Sequence, residues 1–277
     1  MAPQITQGNK ETLLVRDLRS HGITISDSVE DELKLYKSVL ESSRDSESTF
    51  QHAQSELGRC SASKWDSSLK AFNKAAFEMF TTKTNEQNLI KIAAQRLYFA
   101  VSDATDDWES EIVDHYNAVV DEHRLNEVAQ DLPDFTGQTS VLTLTETQGK
   151  AVDLWRNASV ALSSWWGLYS RLATLQGHEV GPMGVDGQGT NLFTACVFGD
   201  PGSFGMASQA ARIMASSAGG STTARAYGPL IPHVIPALCG YELQLSTLDD
   251  AAAIRRAIQP ETTGTGGDIP ATQMNYL

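Results

Sequence analysis

The sequence predicts a mainly α-helical protein: an antiparallel helical bundle followed by a glycine-rich, partly irregular C-terminal half. Three observations carry that expectation. First, one dry face recurs at steps of three and four through Ala93, Leu97, Val101, Ala104, Trp108, Ile112, Tyr116, Val119 and His123, the period of an amphipathic helix. Second, the links between helical stretches before residue 132 are short, and short links make antiparallel neighbours. Third, residues 177–228 hold eleven glycines in 52 positions, which is poor material for regular structure.

Residues 1–22 read as an arm and a short helix. The arm runs to residue 10; Glu11–Ser20 carries Leu13, Leu14, Val15 and Leu18, and His21-Gly22 supplies the stop. Residues 23–132 then form the acidic helical bundle. Ser26, Asp27 and Ser28 offer an N-cap, with Asp31 completing a capping-box variant after Ser28. The helix behind them buries Val29, Leu33, Tyr36 and Leu40, thins through 41–48, and resumes at Phe50, Gln54 and Leu57 before Gly58. Trp65, Leu69, Phe72, Ala76 and Phe80 mark the inner face of the next helix. Thr81–Thr84 reads as a link into the acidic stretch from Asn88 to Asp131. At 1.5 Å per residue that stretch would make a rod of about 65 Å, so either it breaks near Ser102–Thr105 or the molecule is elongated. Leu132-Pro133 closes it, because the residue before proline is pushed out of the helical region.

Beyond Pro133 the character changes. Residues 134–145 read as a connector in which Val141, Leu142 and Leu144 form a short extended piece. A second helical region spans 146–260. Thr145 or Thr147 starts a helix ending at Gly177, with Val152, Trp155, Ala158, Leu162, Trp165 or Trp166, Tyr169 and Leu172 along one side. The glycine-rich segment 177–228 follows, relieved by a small-residue helix around Met206–Ser217. Pro229–Leu245 is apolar and broken by Pro232 and Pro236. Thr247 and Asp250 open a last short helix that stops at Gln259-Pro260. Residues 261–277 have the composition of a disordered tail.

The net charge of −13 is unevenly placed: residues 1–137 hold 24 acids and 14 bases, residues 138–277 only 10 and 7. From Asp103 to Asp134 eleven carboxylates face a single basic residue, Arg124. Such a chain repels nucleic acid at long range, although a local arginine cluster can still grip phosphate. No apolar run approaches the eighteen residues of a membrane span, and the polar start lacks the apolar core of a secretory signal. Three scattered cysteines, Cys60, Cys196 and Cys239, make no disulfide framework or Cys-x-x-Cys pair. The expectation is a soluble intracellular protein, in the cytoplasm or within a particle.

Among motifs, Asp106-Asp107-Trp108-Glu109-Ser110-Glu111 is the sharpest. Adjacent acids on a helix, with further acids a turn on, can hold magnesium against a diphosphate. These six residues resemble the aspartate-rich helix of class I terpene synthases, and the resemblance implies Asp106, Asp107 and Glu111 as metal ligands. That family's second metal motif has no counterpart downstream, and a solvated acidic face is the plainer reading, with no metal and no cofactor. Glu111 and His115, one turn apart, lack the repeated Glu-x-x-His of a di-iron bundle. Trp165-Trp166-Gly167 contains the Trp-x-Gly that resembles the turn of small helical-hairpin proteins of type VII secretion, but it falls inside a helix here. The glycine loops at 187–189 and 199–205 complete neither a dinucleotide nor a P-loop fingerprint.

Two sets of residues remain as binding candidates. Trp155, Trp165, Trp166 and Tyr169 load one helix with aromatic surface that must reach a core or a subunit interface, and they are the expected self-association residues. Arg212, Arg225, Arg255 and Arg256 are the expected contacts if RNA is a partner. The functional expectation is a non-enzymatic, self-assembling structural subunit of coat, nucleocapsid or scaffold type, forming a homo-oligomer without a membrane partner. The alternatives are a magnesium-dependent diphosphate enzyme using the Asp106–Glu111 cluster and a monomeric acidic adaptor for a basic protein.

Overall fold

A computed structural model describes residues 8–133, 144–181, 192–199 and 227–258. These residues are mainly α-helical and form no strand, only an isolated bridge between Phe198 and Gln244. None of their helices is long and apolar enough to cross a membrane. The chain divides into two compact units, residues 1–112 and 113–277.

The first unit opens with α1, Asn9–Ser20. It starts two residues earlier than the sequence predicts, because Gly8 takes a left-handed φ of 96° and its amide donates to the buried Glu11 carboxylate at 2.7 Å. The predicted stop holds: Gly22 has φ of 86° and the Ile23 amide returns to the Leu18 carbonyl at 3.1 Å.

Two long helices follow, α2 (Asp27–Arg59) and α3 (Trp65–Asp103), packed on each other as an antiparallel hairpin. Partners run in opposite directions: Glu32 with Arg96, Glu47 with Lys83, Phe50 with Phe72. Neither the thinning at 41–48 nor the Thr81–Thr84 link interrupts these helices. Hydroxyl-bearing residues favour breaks when they compete for backbone groups, but here they bond back along the helix: Ser46 to the Ser42 carbonyl at 3.0 Å, Thr81 to Phe77 and Thr84 to Phe80 at 2.8 Å each. With no proline or mid-helix glycine in either stretch, nothing else stops propagation.

The inner face of α3 buries Ala75, Ala93, Ala94, Leu97 and Val101. Trp65 and Phe80, expected on that face, are 49% and 70% exposed. Trp65 is the first residue of α3, and at 3.6 residues per turn Phe80 points about 80° away from the direction of Phe72. The break expected at Ser102–Thr105 occurs: α3 ends at Asp103, α4 (Thr105–Glu122) begins after Ala104, and the Thr105 hydroxyl donates to the Ser102 carbonyl at 2.7 Å. Trp108, buried, donates its indole N–H to the Thr24 carbonyl at 3.2 Å.

The second unit takes up the rest of α4. Arg124, in the left-handed region at φ 51°, turns the chain into the short α5, Leu125–Val128. Helix α6, Glu146–Leu175, starts where expected, with Thr145 and Gln148 exchanging capping-box hydrogen bonds at 3.2 and 3.0 Å. Its buried side carries Val152, Trp155, Ala158, Leu162, Tyr169 and Leu172. Helix α7 (Phe193–Phe198) is buried throughout. So is α8 (Ile231–Leu238) as far as Ala237, with Pro232 in its first turn and Pro236 inside it. Helix α9 (Leu248–Ile258) is capped by Thr247, whose hydroxyl accepts from the Asp250 amide at 3.2 Å. The connector at 134–143, the helix expected around Met206–Ser217, the first seven residues and the tail 261–277 lie outside the described residues.

Candidate self-association surface

In the first unit, α3 is unusual in what it leaves in solvent. Phe77 is 72% exposed, Phe80 70%, Ile92 56% and Phe99 54%. The inner face is fixed by Ala75, Ala93 and Leu97, so residues about half a turn away, such as Phe77 and Asn88, must point from α2. Asn88, Lys91, Ile92, Gln95, Tyr98 and Phe99 line a groove on this helix. Isolated exposed apolar residues are ordinary; here two groups, Phe77 with Phe80 and Ile92 with Phe99, lie on one helix with the exposed polar residues Thr81, Thr84 and Asn88 between them.

The pairing beneath this face is well fixed. Arg96 forks onto the Glu32 carboxylate with bonds of 2.8 and 2.6 Å. The Arg96 hydrogen bonds hold the Glu32 carboxyl below its usual range, against a smaller desolvation effect. The exposed side of α3 is therefore presented by a helix whose other side is tied to α2.

Of the aromatic residues expected at a subunit interface, two are enclosed within the second unit and two keep some exposure. Trp155 and Tyr169 are fully buried, and the Tyr169 hydroxyl donates to the Ser246 carbonyl at 2.9 Å. Trp165 and Trp166 are part-buried. Trp165 stacks on His115 with ring centroids 4.6 Å apart, while Trp166 meets Tyr169, Phe193 and His233 at 5.3–5.6 Å. Trp166 and Tyr169 thus pack against α7, and Trp166 against α8 as well, while Trp165 and Trp166 keep part of their surface in solvent. Burial keeps the Tyr116 and Tyr227 hydroxyls protonated and pushes His233 down to about 4.

The acidic cluster is more open. Asp106 and Asp107 are exposed in the first turn of α4, where acids complement the helix dipole; Glu111 is half-buried and Glu109 buried. Among the described residues no group of three histidine, cysteine or acidic side chains is close enough to hold a metal ion. Of the four arginines, Arg255 and Arg256 are among the described residues. Arg255 is 6% exposed in α9, and desolvation pulls its pKa down. Arg256 is exposed and donates to the Ala252 carbonyl at 3.3 Å. Arg212 and Arg225 lie outside the described residues.

Sequence periodicity assigned Phe80 inward and cut α3 at Thr81–Thr84, which hid the outer stripe. Its signal is nonetheless present: Phe77, Asn88, Ile92 and Phe99 recur at helical intervals once 65–103 is read as one helix. Compared with known proteins, the chain matches no protein-family model, no curated protein and no solved structure.

Proposed function

We propose that the chain is a non-enzymatic, α-helical structural subunit that associates with copies of itself. One observation carries this reading: the long hairpin of α2 and α3 leaves Phe77, Phe80, Ile92 and Phe99 in solvent on a single helix. At about 25 cal/mol per Å² of apolar area removed from water, three phenylalanines and an isoleucine offer a gain that a partner surface collects and a lone chain forgoes. Self-association suits such a face because a homo-oligomer presents the same patch twice.

Sedimentation velocity on the full chain across a hundredfold concentration range tests the reading. The expected result is a species larger than one chain whose fraction rises with concentration. A single-chain species throughout that range would count against it.

A further inference from the structure

Resting on the self-association reading, we propose that two copies pair along the outer faces of their α3 helices, antiparallel, across a two-fold axis at Asn88. Around Asn88 the outward positions step by three and four: Phe77, Thr81 and Thr84 before it, Ile92, Gln95 and Phe99 after it, all exposed. The stripe has a phenylalanine at each end, equally spaced from Asn88. With the axis at Asn88, Phe77 of one copy meets Phe99 of the other, Thr81 meets Gln95, and Thr84 meets Ile92.

The polar members suit burial. The hydroxyls of Thr81 and Thr84 already have acceptors one turn back, so covering them strands no donor. Asn88 meets its own copy at the axis, where the two amides can exchange hydrogen bonds; a single polar residue in a helical seam fixes register at some cost in stability.

Shape points the same way. Phe77 is a knob, and Ile92, Gln95 and Phe99 line a groove on the same helix. Fifteen residues from Phe77 to Ile92 span about 22 Å of helix, so no chain fills its own groove, whereas an antiparallel second copy fills both grooves at once. At roughly 200 Å² per aromatic side chain, the exposed fractions of Phe77, Phe80 and Phe99 amount to about 400 Å². Ile92 and the polar positions carry the patch toward the roughly 800 Å² per partner of a stable interface.

Charge sets the direction. The N-terminal part of the stripe is flanked by Lys70 and Lys74, while Asp103, Asp106 and Asp107 lie exposed past its C-terminal end. Antiparallel pairing brings Lys74 beside Asp103, and Lys70 beside Asp106, of the second copy. Parallel pairing would set lysines against lysines and aspartates against aspartates.

Cysteine cross-linking under mild oxidation tests the geometry, in a full chain carrying Cys60→Ser and Cys239→Ser. Asn88→Cys should link two copies readily, and Gln95→Cys should not, since residue 95 faces residue 81. Linking at both positions would show a parallel pair and overturn the proposal. A dimer that links at neither position and survives Phe77→Asp with Phe99→Asp uses another face; that result overturns this geometry while leaving self-association intact. A chain that stays single throughout removes both readings. In the sedimentation assay the Phe77→Asp, Phe99→Asp variant, checked for helix content by circular dichroism, should raise the dimer dissociation constant at least 100-fold. Reversing Lys70 and Lys74 to glutamate should weaken the dimer about tenfold or more, and adding Asp103→Lys with Asp106→Lys should restore it. Failure of that restoration would overturn the antiparallel direction.

Discussion

Asn117 holds Leu245 by both of its backbone groups: the side-chain carbonyl accepts from the Leu245 amide at 2.8 Å, and the side-chain amide donates to the Leu245 carbonyl at 2.9 Å. Two residues back along the segment, Asn126 does the same to Leu243, at 2.7 and 3.0 Å. The intervening Gln244 and the following Ser246 turn their amides the other way, to the carbonyls of Val197 and Cys196 at 2.8 and 2.7 Å. An extended segment directs alternate residues to opposite sides. Here two asparagines serve one edge of residues 243–246 and the end of α7 serves the other, so a single extended strip is satisfied without a sheet.

Removing one of these clamps should therefore cost more than an ordinary surface change. Asn117→Ala deletes two hydrogen bonds and leaves the Leu245 amide and carbonyl without their partner, an expected loss of about 2–3 kcal/mol. Asn117→Asp should be harmful as well, because a carboxylate still accepts from the amide but cannot donate to the carbonyl. Urea unfolding of the two variants beside the parent measures this. Losses below about 0.5 kcal/mol for both would show that the clamp does not hold the segment.

At the start of α1, Gly8 stands against Tyr36. A Cβ built on Gly8 would lie 2.7 Å from the Tyr36 ring, and the residue's φ of 96° is one that side-chain-bearing residues rarely take. Tyr36 cannot easily retreat: it is 1% exposed, and its hydroxyl reaches the Asn9 side chain at 3.3 Å. Gly8→Ala should combine a left-handed backbone penalty of about 1–2 kcal/mol with an overpacking cost of about 1–3 kcal/mol. Thermal unfolding should fall by several degrees, and unchanged unfolding would refute the contact.

How much of this was legible in the sequence follows the range of the interactions. The caps at Thr145 and Thr247, the glycine stop after α1 and the break before α4 were all readable, because each is settled by residues within one turn. The continuity of α2 and α3 was not. Serine and threonine clusters look like links until the partner helix is present to hold them, as Thr82 does for Ser46 at 3.3 Å. The aromatic load of α6 was readable as belonging in a core or an interface, but its partners were not, since Tyr169 meets Cys196 27 positions on. The asparagine clamps were out of reach for the same reason: nothing local to Asn117 or Asn126 announces a partner 128 or 117 positions on, respectively.

The last expectation concerns acidity and His233. This ring is 2% exposed, its Nδ1 lies 3.2 Å from the Tyr116 hydroxyl, and the rings of Trp166 and Phe193 pack edge-on at 5.6 and 5.5 Å. Burial among these neighbours disfavours the imidazolium and lowers its pKa from 6.5 to about 4. The unfolded chain therefore binds a proton between those values while the folded chain does not, so stability rises with pH through this window. It is fully present above pH 6.5, falls as the pH drops toward 4, and the loss levels off below. A shift of this size corresponds to about 3 kcal/mol, most of it gone by about pH 4.5. The Glu32–Arg96 pair acts lower: the Glu32 pKa is depressed, so its contribution is present above the ordinary carboxylate value of 4.5 and is lost as the pH falls through the folded one. The two effects thus separate. His233→Gln keeps an acceptor for the Tyr116 hydroxyl but removes the titration. Urea unfolding from pH 7.5 to 4.5 should show the parent losing about 2–3 kcal/mol more than this variant; parallel pH profiles would mean that His233 takes up its proton while folded.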